Sequence, residues 1–115
     1  MTPKRKTSDG ALGYNAALVL EALVQGHRYG FEIMRAAHLP SGTTYPLLRR
    51  LEAAGLVSST WEELQDAHEE GRPPRRSYRV TPDGRSALAE ARERVMAQQA
   101  LFARSAAPAG SERGA

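Results

Sequence analysis

Cysteine is absent from the 115 residues, which removes disulfide staples, thiolate metal sites and thiol nucleophiles together. No apolar run approaches the roughly 18 residues that a membrane-spanning helix requires, so no membrane partner is expected. The N-terminus, MTPKRKTSDG, is basic but has no apolar signal core behind it, and the chain reads as cytoplasmic. Aromatic residues are scarce at 6%, with a single tryptophan, Trp61. There is no nucleophile elbow, and one small domain has little room for a substrate pocket, which argues against an enzyme. His27, His38 and His68 form no i,i+4 ligand pair, so neither a metal site nor a cofactor is expected.

What is present is unevenly placed charge. The formal net charge is only +3, a weak argument for any partner. Glu62, Glu63, Asp66, Glu69 and Glu70, however, fall within one stretch of ten residues that holds no Lys or Arg. The next ten hold Arg72, Arg75, Arg76 and Arg79 and no acid. Lys4, Arg5 and Lys6 make a second basic cluster. Clustered cations attract phosphate even when the total is nearly balanced.

Apolar periodicity divides the chain into four helices and one hairpin. Residues 1–10 read as a flexible basic arm and 105–115 as a disordered tail of small residues. Leu12, Ala16, Val19, Leu20 and Leu23 predict a first helix over 11–24, stopped at Gly26. A second fits 29–38, ended by Leu39-Pro40. Ser41 is expected to cap a third that runs to Ala54 and stops at Gly55. Strands are expected over 57–63 and 75–80, joined by a long polar loop, 64–74. Thr81-Pro82-Asp83 then caps a last helix over 82–104. The fold class is mainly α with a small β-hairpin, in the order α-α-α-β-β-α: a winged helix-turn-helix over 11–81 followed by a C-terminal helix.

The third helix has two chemistries. At about 100° per residue, Leu47, Leu48, Leu51 and Ala54 share one side, and Thr44 turns toward it. Tyr45 and Arg49 point away together, with Arg50 on a flank. Either arginine can bond the two acceptors of a guanine edge or clamp a phosphate. The hydroxyls of Ser41, Thr43 and Tyr45 and the free first-turn amides suit phosphate oxygens, and Gly42 lets a backbone approach closely. Double-stranded DNA is therefore the expected partner. The alternative is a winged-helix protein–protein adaptor whose basic wing meets an acidic protein.

At these residues the chain resembles the PadR family of bacterial transcriptional regulators. The pattern runs from Leu18–Leu23 through Gly26-His-Arg-Tyr29-Gly30-Phe-Glu32-Ile33. It continues through Ser41-Gly42-Thr43-Thr44-Tyr45-Pro46-Leu47-Leu48-Arg49-Arg50-Leu51-Glu52 and Gly55-Leu56-Val57. It closes on Gly71-Arg72-Pro73 and Tyr78-Arg79-Val80-Thr81-Pro82-Asp83-Gly84-Arg85. The resemblance spans roughly residues 15–95 and implies a homodimeric DNA-binding regulator, usually a repressor. It makes the third helix the recognition helix and the Arg72–Arg76 tip, with Arg75, a wing that touches the DNA backbone or the minor groove. It also implies that the last helix pairs with its symmetry mate. Leu88, Ala91, Val95 and Phe102 supply a seven-residue stripe for that, although the stripe is equally compatible with folding back onto the first helix. Relatives released from DNA by small aromatic or hydrophobic effectors make Trp61 and Met96 candidate ligand contacts. The bland expectation for Trp61 is packing against Tyr78 and the core.

Overall fold

The computed structural model describes residues 12–106. The elements are α1 (Tyr14–Val24), α2 (Gly30–Ala37), α3 (Ser41–Ala53), β1 (Val57–Trp61), α4 (Leu64–Glu69), β2 (Arg76–Val80) and α5 (Pro82–Ala106). This is a winged helix-turn-helix: mainly helical, with one antiparallel hairpin and a long C-terminal helix. The basic arm, Lys4–Lys6 included, and the tail beyond residue 106 lie outside the described residues.

Each expected helix is found, with its ends set by local chemistry. Leu56 N–H reaches back to the Leu51 carbonyl at 2.9 Å and Gly55 N–H to Glu52 at 3.0 Å. That closing turn places Gly55 at φ +79°, a left-handed conformation glycine adopts without steric cost. Thr81 caps α5 as expected, its hydroxyl accepting from Gly84 N–H at 3.0 Å. Ser41 does not cap α3. It is the first helical residue, while Pro40 stands at the cap and its carbonyl accepts from the Thr43 and Thr44 amides at 3.0 and 2.9 Å.

Two expectations about the later elements need correction. The 64–74 connection is not all loop, because Leu64–Glu69 forms the short helix α4, anchored by fully buried Ala67. Residues 105 and 106 belong to α5, which runs through positions expected to lie in the tail.

The hairpin pairs Val57 with Val80, Ser59 with Tyr78 and Trp61 with Arg76. On the free edge of β2, Tyr29 bridges Ser77, and Tyr78 N–H donates to the Arg28 carbonyl at 2.8 Å. The α1–α2 turn thus acts as a one-residue third strand. Val19 and Leu20 of α1, Ile33 of α2, Leu47, Leu48 and Leu51 of α3, Val57 of β1, and Leu88 and Ala91 of α5 close a single core. At about 25 cal/mol per Å² of apolar surface, these aliphatic side chains are the main force holding α3 in place.

Candidate nucleic-acid interface

The α3 helix shows the predicted division of faces. Leu47, Leu48 and Leu51 are buried, and so is Thr44, whose hydroxyl donates to the Pro40 carbonyl at 3.0 Å. Ser41, Gly42, Arg49 and Arg50 are exposed and Thr43 is half-buried. Because Ser41 is released from capping, its hydroxyl sits at the open N-terminus of the helix with the first amides, where anions are favoured. A Cβ on Gly42 would meet nothing within 4 Å among the described residues, so packing against them does not require glycine there. Pro46 lies inside α3 and withholds the amide that would bond the Gly42 carbonyl, so that acceptor is also left without its helical donor.

Tyr45 departs from the expectation of a freely outward side chain. Its ring lies against the start of α2, where a Cβ on Gly30 would fall 2.3 Å from Cε1 and 2.6 Å from the phenolic oxygen. Tyr45 is 36% exposed, so the residue is only partly covered there. Gly30 therefore sets where Tyr45 rests.

The wing differs most from a loop of free cations. Arg72 holds Glu62 by two parallel bonds of 2.6 and 2.7 Å and reaches Glu70 at 3.1 Å. The Arg72 bonds to Glu62 hold its carboxyl down at about 2 against the opposing effect of burial, helped by the Arg75 amide at 3.1 Å. The Arg75 guanidinium stacks over the Tyr29 ring at 4.0 Å and faces Phe31 at 5.6 Å. Its Nε, 3.9 Å from Glu62, is buried with no hydrogen-bond partner among the described residues. Arg76 turns toward α3, donating to Ser59 at 2.9 Å and Glu52 at 3.2 Å. All three arginines expected at the wing tip thus have partners within the chain. Arg79, on the other side of β2, is exposed.

The remaining candidates separate by element. Trp61 is 63% exposed at the end of β1, beneath the Arg76 guanidinium at 5.6 Å, and is not packed into the core. Met96 is exposed on α5. An open cleft of about 600 Å³ lies between the start of α1 and α3, lined by Leu12, Pro46, Leu51 and Arg50 among others, and includes neither Trp61 nor Met96. The apolar stripe of α5 splits. Leu88 and Ala91 are buried against the chain's own core, as in the fold-back alternative, while Val95 is half-buried and Phe102 exposed. Arg92 fastens the inner half by bonding both carboxylate oxygens of Glu21 at 2.5 and 2.9 Å, which lowers the Glu21 pKa. Among the described residues, no three His, Asp or Glu side chains gather as a metal-binding group, and no helix is long and apolar enough to cross a membrane.

The transcriptional regulator PadR-like family matches residues 19–90. Comparison with curated proteins gave no match. Among solved structures, the fold is similar to a PadR family transcription regulator from Clostridium difficile (TM-score 0.70, 23% identity, covering 83% of this chain and 100% of that one). It is similar to the PcaV transcriptional regulator of Streptomyces coelicolor, solved in complex with its natural ligand (TM-score 0.71, 18% identity, 89% and 68%). It is also similar to Bordetella bronchiseptica BpsR, whose DNA binding is regulated by 6-hydroxynicotinic acid (TM-score 0.64, 22% identity, 91% and 74%). At these identities the likeness is one of fold.

Proposed function

The chain belongs to the PadR-like family of transcriptional regulators, and on that premise we propose that it represses transcription by binding a near-palindromic operator as a homodimer. Members of this family regulate transcription and are not enzymes. One observation carries the DNA-binding reading: α3 is anchored by buried leucines on one face and leaves Ser41, Arg49 and Arg50 exposed on the other, with no side-chain partner among the described residues. Arg49 and Arg50 are the base-reading or phosphate-clamping cations, and Ser41, Gly42 and Thr43 with the first amides receive a phosphate. Tyr45 flanks them from its seat on Gly30. Arg72 and Arg75 lie toward the flanking backbone, each already partly neutralised by Glu62.

Pairing of two copies is supported by the outer half of α5, where Val95 and Phe102 continue the stripe that Leu88 and Ala91 begin. Such a pair presents its two α3 helices to half-sites about one helical turn apart. Release by a small aromatic or hydrophobic effector is part of the proposal, supported by the ligand-governed relatives PcaV and BpsR.

Selection of bound duplexes from random DNA tests this reading. A near-palindromic consensus is expected, with affinity falling steeply as salt rises. Arg49→Ala should relax preference at one position of each half-site, at a cost of about 1–3 kcal/mol. Failure to enrich any sequence at low salt refutes it.

A further inference from the structure

Glu52, in the last turn of α3, joins the recognition helix to the hairpin. Its carboxylate accepts from the Ser59 hydroxyl at 2.7 Å and from Arg76 Nη2 at 3.2 and 3.4 Å. Arg76 Nε donates to the same Ser59 oxygen at 2.9 Å, which closes a ring of three side chains across three elements. Ser59 is the middle residue of β1 and Arg76 the first of β2. The guanidinium is also flanked by the Trp61 and Tyr78 rings, at 5.6 and 6.0 Å. All three members of the ring are half-buried, where partial exclusion of water strengthens linked polar contacts.

We propose that this ring is a clamp fixing the wing against the recognition helix, so that Glu52 and Arg76 are positioning residues for DNA binding that do not themselves touch DNA. The inference rests on the DNA-binding reading above. The α3 helix and the wing engage one duplex as two tethered contacts, and tethered contacts bind more tightly when their relative placement is fixed beforehand. The pairing agrees with this role. Glu52 lies within hydrogen-bond distance of the guanidinium and offsets the net positive charge that Arg76 would offer a phosphate.

The two roles predict opposite responses. Binding of the selected duplex is measured across a salt series for the full chain, Glu52→Gln, Arg76→Ala, Arg76→Lys and the Glu52→Gln/Arg76→Ala double variant, with folding followed by circular dichroism. For a clamp, Glu52→Gln and Arg76→Ala each weaken specific binding about tenfold, and the double variant is no weaker than either single one. Lysine does not rescue, because a single ammonium cannot reproduce the guanidinium fork that spans Ser59 and Glu52. The slope of log affinity against log salt stays unchanged. A phosphate-contacting Arg76 gives the reverse: a slope shallower by about 1 for Arg76→Ala, rescue by lysine, and tighter binding by Glu52→Gln. That outcome overturns the proposal, as does lowered stability with unchanged affinity of the folded fraction. If the charge variants do not fold, Ser59→Ala keeps both charges and is expected to weaken binding about threefold at constant slope, and unchanged affinity there overturns the clamp. If the unaltered chain binds no duplex at low salt, the DNA-binding reading itself falls, an outcome distinct from those in which only the variants misbehave.

Discussion

Replacing Gly30 by alanine isolates the contact that seats Tyr45. At the first position of a helix such a change is ordinarily neutral or favourable, because alanine loses less backbone entropy on folding, by about 0.5–1 kcal/mol. Gly30 has no left-handed φ that would forbid it. The obstacle is the ring: the new Cβ would lie 2.3 Å from Tyr45 Cε1 and 2.7 Å from Cζ. Closing that overlap to an ordinary contact means moving the ring by about 1 Å or tipping Tyr45 off its rotamer, at about 0.5–1.5 kcal/mol. Lost packing adds to this, and overpacking costs typically about 1–3 kcal/mol. Because the ring is partly exposed it can swing outward, which places the expected loss at about 1–2 kcal/mol after the alanine gain. Urea unfolding monitored by circular dichroism measures it. In a Tyr45→Ala background the same substitution should recover its neutral or stabilising sign. Equal destabilisation in both backgrounds, or none in the first, would refute the reasoning.

Gly84→Ala should be harsher, about 3 kcal/mol or more in the same assay, because its Cβ would fall 2.1 Å from the Leu56 carbonyl oxygen, a backbone atom that cannot swing away; a loss under 1 kcal/mol would mean α5 sits farther from the α3–β1 turn than the structure places it. Acid stability should carry the signature of Glu62. Its carboxyl titrates at about 2 when folded and near 4.5 when unfolded, so the unfolded chain takes up the proton first as pH falls. That stabilisation is complete above about pH 4.5 and is lost progressively toward pH 2, so Glu62→Gln should flatten the acid limb of a stability–pH curve in this window; an unaltered limb would show the Arg72 pairing to be absent in solution. Phe102→Asp, at a position exposed in the single chain, should leave thermal unfolding of the monomer unchanged while shifting sedimentation equilibrium toward monomer. A dimer that persisted would place the proposed seam elsewhere.

Helix order, the leucine face of α3 and the inward turn of Thr44 were legible because they follow from apolar period and terminal chemistry alone. The Thr81 cap was legible for the same reason, whereas the assignment of Ser41 as a cap gave too much weight to residue type. The neighbouring Pro40 supplies the extended backbone and the accepting carbonyl, which leaves the serine one position inside. The helix α4 escaped notice because only Ala67 of its six residues is buried, too few to register as a period. Arg76 is the instructive miss. The two-residue alternation that turns Tyr78 and Val80 inward turns Arg76 inward with them, but its charge and its place in a basic run argued for the outside. Which carboxylate awaited it depended on the fold, since Glu52 lies 24 residues earlier. Trp61 failed for a related reason: the alternation gave its side of the strand, but the core does not extend that far along the hairpin.

Only Thr81 separates the last residue of β2 from the first of α5. That residue is pinned by its amide to Leu56 O at 3.0 Å and by its hydroxyl to Gly55 O at 2.7 Å. A joint held at both backbone and side chain has no slack, and α5 extends from it for 25 residues, about 37 Å at 1.5 Å per residue. In a pair joined through the far ends of these helices, the span between the two recognition helices is a dimension of rigid parts, with no tether to lengthen or shorten it. Each base pair inserted between half-sites moves them roughly 3.4 Å apart and turns one around the duplex. Such a pair would act as a ruler, and half-site spacing would enter the proposed specificity alongside base identity.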